Sequence, residues 1–478
     1  MARRGSNALP PPTFDLDTWA SNYDGAILPL RLAHVAIHCP SLAHAALTLA
    51  VTNAKRGRDV QIYRRLVQLA AQMNIPDLQQ EDTEWSTKQD EDNRRKLTRM
   101  EGELRGYKNN LIRESIRMGQ EDLANYHLET GGPVPDPTNA SSLATSGYNA
   151  AYQAYGKMRD YCTTPVHVAA MNLRLAYTAF LQAAHAQATG NSGATHFNAA
   201  LINANRLRSA GVKEEEEAKL LPIVHVAAGI ASLSTGDYRS AALSFMSAPF
   251  EYHDLGAVHG TNFERAIATA NDVAIYGGLC ALATLTRQEL LDNVLGGPFR
   301  AFLEQEPHMR KAIGLYTTAK YQACINTLQH YYSDWSLDIF LGANASTSSA
   351  TTHVDRLFER IRERSLTAYF SSFSEVSLAS LASTFPPLSS APDAMENEVL
   401  GMINSGALDA RLDAVNGVLV APRKEPRQAA HAEAKTTAED IERTLLLRLH
   451  KVNVVLAGLE IPKQKGGEQW LLRGNSSQ

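Results

Sequence analysis

Histidine and cysteine residues cluster in the segment HVAIHCPSLAH, which begins at His34. His34 and His38 are four residues apart, so a helix would place both imidazoles on one face, with Cys39 and His44 nearby. Imidazole and thiolate are the ligands that zinc prefers in proteins. No carboxylate lies among them, however, and histidines on a half-buried helix are usually packing residues. We therefore interpret the cluster as structural and expect no bound metal and no other cofactor.

Sequence motifs of the common enzyme classes do not occur. The sequence contains no GxxxxGK[ST] phosphate loop, no GxGxxG, no GxSxG nucleophile elbow and no HExxH metalloprotease motif. His167 could act as a base, but no nucleophile accompanies it, and Pro165 beside it favours the start of a helix. We expect no catalytic residue and no enzymatic activity in this chain.

The overall charge argues against a nucleic-acid partner. The chain has 46 Lys and Arg residues against 50 Asp and Glu, and its formal net charge is -4. No general positive field would attract phosphate groups. One long basic helix is predicted over residues 94–118, but Glu101, Glu103 and Glu114 interrupt its basic face. That mixture favours a solvated helix surface, and we expect no nucleic acid among the partners.

The start of the chain does not resemble a secretory signal, and we expect no membrane-spanning helix. The N-terminal arginines are not followed by an apolar stretch. The most apolar segment, LLPIVHVAAGIA, is shorter than the roughly 20 residues that a membrane helix needs. The cysteines are far apart, which favours reduced, buried thiols: Cys39, Cys162, Cys280 and Cys324. We expect a protein of the cytoplasm and nucleus with no membrane partner.

Helical periodicity dominates the chain from about residue 28 to residue 332. In AAGIASLSTGDYRSAALSFMSA, a helix of small residues ends near Gly236 and a second helix begins at Tyr238, as in a tetratricopeptide-like unit. Such units bury their apolar faces only by stacking on their neighbours. The sequence therefore predicts a mainly α fold with a tetratricopeptide-like helical-repeat solenoid over residues 14–340.

Several segments have compositions that do not support a packed core. Residues 130–147 and 341–352 are rich in Gly, Pro, Ser and Thr, and we expect both to be mobile loops, the first as an insertion in the solenoid. Residues 1–13 are expected to be disordered, and residues 461–478 to form a tail. A polar linker is predicted between residue 422 and residue 435.

The order of elements changes after residue 353. Ser374 is predicted to cap one helix, and a second helix from Pro392 to Ser405 ends at Gly406, followed by a hairpin at Asn416-Gly417. Two helices and then a hairpin are typical of a winged helix, which we place at residues 353–422. Its second helix contains acidic residues and no Lys or Arg, so its charge favours a protein partner over DNA.

The hairpin presents a candidate subunit interface. A two-residue turn would place Val415 opposite Val418 and Ala414 opposite Leu419. Four side chains would then point away from the helices: Arg411, Asp413, Val418 and Val420. Their alternating neighbours would face the helices: Leu412, Ala414, Leu419 and Ala421. The unpaired strand edges are either covered by a short third strand of this chain or paired with the same element of another subunit.

A final helix is predicted over residues 436–460. Thr436 and Glu439 have the spacing of a capping box at its start. Its apolar residues recur at helical spacing and form one stripe: Ile441, Leu445, Leu449, Val452 and Leu456. We interpret this stripe as a second candidate subunit interface.

A helical-repeat solenoid that leads into a winged helix is the architecture of the PCI-domain family, named for the proteasome lid, the signalosome and a translation initiation factor complex. Within that family, this chain resembles the first-subunit branch of the COP-9 signalosome. Five segments carry the resemblance: NDVAIYGGLCALATLTRQEL at residues 271–290, DYCTTPVHVAAMNLRLAY, NLIRESIRMGQEDL, GALDARLD and HCPSLAHAAL. It extends from about Phe14 to Lys451, and it implies that the helical part of the PCI domain begins near residue 215.

The resemblance implies a non-catalytic scaffold subunit of a hetero-oligomer. That complex removes the modifier Nedd8 from cullins, and so regulates cullin-RING ubiquitin ligases, with its chemistry in a zinc metalloprotease subunit. Winged helices of its PCI subunits associate edge to edge, and their C-terminal helices join one bundle. The implied partners are thus the other PCI subunits, the metalloprotease subunit and, through the complex, cullin-RING ligases. A PCI subunit of the proteasome regulatory-particle lid is the alternative, because it shares this architecture.

Overall fold

The computed structural model describes residues 12–134, 146–189, 191, 193–346, 349–386, 393–422 and 426–458. The chain divides into two compact units. The first comprises Met1–Ser372 and Ser383–Pro386, and the second comprises Phe373–Ala382 and Pro387–Gln478. The predictions for residues 1–11, for the central part of the insertion at 130–147 and for the tail at 461–478 lie outside the described residues.

The first unit is built from helices that contact their neighbours along the chain. The longer α-helices are Ile27–His38, Ala43–Arg56, Val60–Gln72, Thr83–Asn109, Arg113–Thr130, Tyr148–Lys157, Pro165–Ala188, Ala194–Arg208, Glu214–Ser234, Tyr238–Met246, Ala270–Thr284, Pro307–Thr317, Tyr321–His330 and His353–Phe370. Short α-helices are Leu16–Ala20, Phe263–Ala266, Arg287–Glu289, Arg300–Gln305 and Tyr332–Ser336. Single 3₁₀ turns are Pro76–Leu78, Met158–Tyr161 and Phe250–Asp254, and a π-helical turn is Leu290–Leu295. This helical architecture confirms the predicted fold class.

The helix pair at Gly236 illustrates how the solenoid is packed. The first helix ends at Ser234, and Gly236 has a φ of 84°, a left-handed conformation that suits glycine. Asp237 then caps the second helix by accepting a hydrogen bond from the Ser240 backbone N–H at 3.1 Å. A Cβ atom added to Gly229 would lie 2.5 Å from the Phe245 ring, so glycine permits the two helices to approach closely.

The most distinctive sequence segment, YGGLCALAT, lies in the buried helix Ala270–Thr284. Thr269 and Asp272 form a capping box at its start. A Cβ atom at Gly277 would lie 2.5 Å from Phe299 Cζ, and one at Gly278 would lie 2.6 Å from Met309 Cε. Both glycines therefore allow neighbouring side chains to pack directly on the helix backbone, and the segment forms part of the core.

A buried ion pair joins the N-terminal helix Ile27–His38 to this core. The Arg31 side chain is fully buried, and its Nη1 lies 2.5 Å from Asp338 Oδ2. Its Nη2 lies 3.6 Å from Asp272 Oδ2 and donates to the Ile267 carbonyl at 2.8 Å. A buried charge is costly unless it is paired and hydrogen-bonded, and Arg31 meets both conditions.

Two predictions for the first unit are wrong. The helix predicted over residues 94–118 is broken, because one helix ends at Asn109 and the next begins at Arg113. Leu111 between them has a φ of 55°, which no helix residue adopts. The loop predicted at 341–352 contains two short antiparallel strands, Asn344–Ser346 and Ser349–Thr352. The helix break at residues 110–112 was missed because three residues change the helical periodicity of the sequence very little.

The second unit contains the short elements predicted for a winged helix. Its α-helices are Ala394–Asn404 and Pro426–Leu456, its strands are Glu375–Ser377, Arg411–Asp413 and Val418–Val420, and helix Leu378–Thr384 begins within it. Met395, Val399 and Met402 are buried, and Gly406 follows the helix with a φ of 75°, as a C′ glycine does. Ser374 is not an N-cap, because the next helix begins at Leu378.

One described helix, Glu214–Ser234, is long and apolar enough to cross a membrane. Within its most apolar window, 56% of the residues are buried inside the protein, as in the core helix of a solenoid. His225, in the middle of that helix, is half-buried, and burial lowers the pKa of its imidazole. We therefore interpret this helix as part of the packed core.

Candidate interaction surfaces

The hairpin belongs to a three-stranded antiparallel sheet, which we call the wing sheet. Its strands are Glu375–Ser377, Val418–Val420 and Arg411–Asp413, in that spatial order. The strand Val418–Val420 is therefore central, with one neighbour on each side. The third strand comes from this chain, which was one of the two alternatives for covering the hairpin edge.

The predicted register of the hairpin is wrong by two residues. Asp413 lies opposite Val418, and Leu412 lies opposite Leu419, so the loop has four residues and not two. The Asp413 carboxylate accepts hydrogen bonds from the backbone N–H groups of Val415 at 3.0 Å and Asn416 at 3.2 Å. This local turn competes with the pairing of Ala414 that the Asn-Gly signal predicted. Ala414 is consequently exposed, and it does not face the helices.

The predicted partition of the two sheet faces is otherwise retained. Because the register error is two residues, no side chain changes face. Val376, Leu419 and Leu412 lie opposite one another on the inner face, where Leu419 is only 1% exposed. The outer face consists of two cross-strand rows: Glu375, Val420 and Arg411, and then Ser377, Val418 and Asp413. The four predicted interface residues thus lie together on one surface.

The third strand determines which edges of the wing sheet are free. Both edges of Val418–Val420 are paired within the chain, so this strand has no open edge. The outer edges belong to Arg411–Asp413 and Glu375–Ser377. Pairing with another subunit through the backbone would therefore use one of these two strands, while Val418 and Val420 offer half-exposed side chains on the outer face.

The second candidate surface is the helix Pro426–Leu456, which we call the terminal helix. It begins ten residues before the predicted start at 436. Thr436 lies inside the helix, and its hydroxyl donates to the Glu433 carbonyl at 2.9 Å, so the predicted capping box and polar linker are wrong. All five residues of the predicted stripe are more than half exposed: Ile441 55%, Leu445 58%, Leu449 56%, Val452 52% and Leu456 79%.

Further apolar side chains of the terminal helix were not included in the predicted stripe. Leu446, Leu447, Val454 and Val455 are also exposed. Because about 3.6 residues make one turn, Leu447 and Val454 lie on the face opposite Leu445 and Leu449. The run LLLRLHKVNVVL contains this signal, since a helix that is apolar on more than one side is normally buried. The helix can thus contact neighbours on two sides.

The histidine cluster near His34 is a packing arrangement. The rings of His34 and His38 are in contact in a tilted arrangement, with centroids 4.1 Å apart and an interplanar angle of 37°, and His38 Nδ1 lies 2.9 Å from the His34 carbonyl. Burial lowers the pKa of His34 to about 3. Cys39 Sγ is 3.2 Å from the Ser41 hydroxyl. Among the described residues, no group of three or more His, Cys, Asp and Glu could hold a metal ion.

Two other features considered from the sequence are His167 and the basic residues of the helix predicted over residues 94–118. His167 lies in the first turn of Pro165–Ala188, where its backbone N–H donates to the Thr164 hydroxyl at 3.3 Å, as expected for the start of a helix. The basic residues of Thr83–Asn109 are interspersed with acidic ones; Arg95 and Arg99, for example, lie close to Glu91 and Glu103. These local ion pairs leave no continuous basic stripe on that face.

Two family models match the chain. The 26S proteasome subunit RPN7 model matches residues 82–134 and 143–293, and the PCI domain model matches residues 328–423. The second match includes the wing sheet and the two helices that precede its hairpin. The terminal helix follows directly after it.

Three of the curated proteins similar to this chain are named as subunit 1 or 1b of the COP9 signalosome complex. COP9 signalosome complex subunit 1 of Emericella nidulans is 35% identical over 94% of this chain and 84% of its own length. The Neurospora crassa protein of that name is 32% identical, with 90% and 88% covered. Subunit 1b of Drosophila melanogaster is 28% identical, with 90% and 83% covered. The chain belongs to the COP9 signalosome subunit 1 family of PCI-domain proteins.

Proposed function

We propose that the chain is a non-catalytic scaffold subunit of a COP9 signalosome, in which its wing sheet and terminal helix contact other subunits. The observation that carries this proposal is the terminal helix, whose apolar side chains are exposed on two sides. A monomer with such a surface is prone to self-association, so the apolar face is expected to be buried against other proteins. The relative from Emericella nidulans, which is covered over 84% of its own length, is named as a subunit of a complex.

The proposed complex removes Nedd8 from cullins and regulates cullin-RING ligases, in the cytoplasm and nucleus. We assign the peptidase chemistry to a separate metalloprotease subunit. The proposed partners are that subunit, the other PCI subunits and, through the assembly, cullin-RING ligases. His34 supports a structural role for the buried histidines of this chain. Its pKa of about 3 keeps the imidazole neutral near pH 7, and its ring contacts that of His38.

A proteasome-lid subunit is the second candidate, because the RPN7 model matches most of the solenoid. Affinity purification of the tagged chain from its own cells separates the two proposals. The first predicts co-purification of a metalloprotease subunit, PCI subunits and cullins, with no proteasome base ATPases. Recovery of the base ATPases in stoichiometric amount would support the lid subunit instead.

The non-catalytic role has its own test. The purified chain, incubated with neddylated cullin and added zinc, is expected to release no Nedd8, whereas the purified complex releases it. Turnover by the isolated chain that survives further purification would contradict the assignment of the chemistry to another subunit.

A further inference from the structure

A cavity of about 260 Å³ lies in the first unit, between the N-terminal segment and the core. Its walls come from residues near Trp19, from the start of the helix Ala270–Thr284, from Glu306 and His308, and from residues near Trp335. Small-molecule pockets usually measure about 300–1,000 Å³, so this cavity has room for a single side chain and not for a cofactor.

Aromatic rings form two of the walls. On one side, the Trp19 ring is 5.5 Å from Phe14 and 5.1 Å from Tyr23, measured between centroids. On the other side, the Tyr331 and Trp335 rings are 6.1 Å apart, and the His308 imidazole is stacked on Tyr331 with centroids 4.1 Å apart. Faces of Trp and Tyr rings attract cations through their electron density.

Carboxylates occupy the remaining walls, and they outnumber the cations. Asp272 and Asp338 share Arg31, as described above. Glu306 Oε2 lies 3.1 Å from His308 Nδ1, and Asp334 accepts a hydrogen bond from the Thr13 backbone N–H at 2.9 Å. Within the described part of the chain, neither Glu306 nor Asp334 forms an ion pair with a Lys or Arg.

The pKa shifts of Glu306 and His308 are compatible with the binding of a cation. Burial and the nearby Asp272 raise the pKa of Glu306 to about 7. Burial lowers the pKa of His308 to about 4, so this imidazole is neutral at pH 7 and does not balance the carboxylates. His308 Nε2 is a buried atom with no partner among the described residues. When His308 Nδ1 donates to Glu306, Nε2 is therefore left as an acceptor.

We propose that this cavity binds the guanidinium or ammonium group of an arginine or lysine side chain, presented by a peptide segment of a partner protein. The cation would lie between the aromatic walls. It would donate charge-assisted hydrogen bonds to the carboxylates of Glu306 and Asp334, and a further N–H group to His308 Nε2. This site is separate from the wing sheet and the terminal helix, so it adds a contact that subunit assembly through those surfaces does not require.

The proposal is tested with three short peptides and the full chain. The probes are acetyl-Gly-Arg-Gly-amide, its lysine counterpart, and the citrulline counterpart, which has nearly the shape of arginine but no charge. Binding is followed by saturation-transfer NMR and by the fluorescence of Trp19 and Trp335. We expect the arginine and lysine peptides to bind at least roughly tenfold more tightly than the citrulline peptide. Equal binding of the citrulline peptide, or no binding of any peptide, would overturn the proposal.

Substitutions locate the binding to the cavity. Glu306→Gln and Asp334→Asn keep the shape of each side chain and remove its charge, so each should weaken arginine binding by roughly tenfold. Glu304→Gln is the matched control, because Glu304 is 56% exposed and lies outside the cavity. A melting temperature for each variant establishes that it is folded. Wild-type affinity in both folded cavity variants would overturn the site.

The chain's own arginines are the competing occupant. Arg3 and Arg4 precede Thr13, which lines the cavity, by about ten residues of sequence. The double variant Arg3→Ala with Arg4→Ala should bind the arginine peptide as the wild type does. If it binds roughly tenfold more tightly, the partner protein is excluded as the main occupant, because the chain's own N-terminal segment then competes for the cavity.

Discussion

His353 is a fully buried histidine at the start of the helix His353–Phe370. Its Nδ1 lies 2.9 Å from the Tyr238 hydroxyl, and its Nε2 has no partner among the described residues. Burial, helped by the nearby Arg356, lowers the pKa of His353 from 6.5 to about 4. The folded protein therefore disfavours the protonated form that the unfolded chain adopts below pH 6.5.

The stability that depends on neutral His353 is present above pH 6.5 and is lost as the pH falls towards 4. We expect this residue to account for about 2 kcal/mol of the stability lost between roughly pH 7.5 and pH 5. His353→Gln keeps a polar group near Tyr238 and cannot be protonated. Unfolding of both proteins is measured at the two pH values; an unchanged pH dependence in the variant would contradict the assignment. Buried histidines such as His34 contribute equally to both proteins.

The glycines of YGGLCALAT give a prediction about packing. Gly277→Ala would place a methyl group against the rigid, buried ring of Phe299, at a cost of roughly 1–3 kcal/mol. Gly278→Ala would meet the flexible end of Met309, which can move, so it should cost less. Gly314→Ala is the control, because nothing lies within 4 Å of the added atom, and it should be neutral or stabilising. Melting temperatures in any other order would contradict this packing.

In the wing sheet, we expect the inner face to support folding and the outer face to support assembly. Leu419 lies on the inner face at 1% exposure, so Leu419→Asp would bury an unpaired charge and should cost several kcal/mol. Val418, next to it on the outer face, is half-exposed, and Val418→Asp should leave the fold intact. If the outer face contacts another subunit, only the second variant gives a folded chain that assembles poorly. Circular dichroism measures the folding of each variant, and co-purification measures its assembly. Normal assembly of the Val418→Asp variant would contradict an interface on the outer face.

The terminal helix gives the corresponding prediction for the second surface. Leu445→Asp with Leu449→Asp places two charges on its exposed apolar face, where they leave the isolated chain folded and block burial against partners. The purified chain should keep its melting temperature but no longer co-purify with other subunits. His431→Asp with Lys435→Asp, at the same spacing in the polar part of the helix, is the control. Normal assembly of the leucine variant would exclude this face.

Helix and strand types could be predicted from the sequence, but local details could not. Periodicity identified the helices on both sides of Gly236 and the two strands at Asn416-Gly417. It missed the hydrogen bonds that the Asp413 carboxylate accepts and that lengthen the hairpin turn, because side-chain competition for the backbone is not visible in an apolar pattern. The third strand, Glu375–Ser377, has three residues and a single buried one, Val376, which is too short for alternation to indicate a strand.

At the scale of the whole molecule, the sequence resemblance predicted the family, and composition alone did not. The balanced charge and helical periodicity fit many scaffold proteins. In the segment YGGLCALAT, Gly277 and Gly278 allow side chains to pack directly on the helix backbone. The cavity near Glu306 was not predicted, since its walls come from four segments that are far apart in sequence and only the fold brings them together.

The central claim is that this chain is incomplete until other subunits cover its terminal helix. Its exposed leucines and valines on two sides would otherwise remain in water, at a cost that grows with the apolar area. The wing sheet adds a second surface with free outer edges. Both features belong to the second unit, so we expect the solenoid to fold without partners and assembly to depend on the C-terminal part.

Native mass spectrometry of the complex purified through a tag on this chain tests that claim most directly. We predict a hetero-oligomer that contains one copy of this 52.2 kDa chain together with several different subunits. The Leu445→Asp with Leu449→Asp variant should instead give the free chain. A wild-type chain that is recovered from its own cells as a soluble monomer of 52.2 kDa would contradict the account.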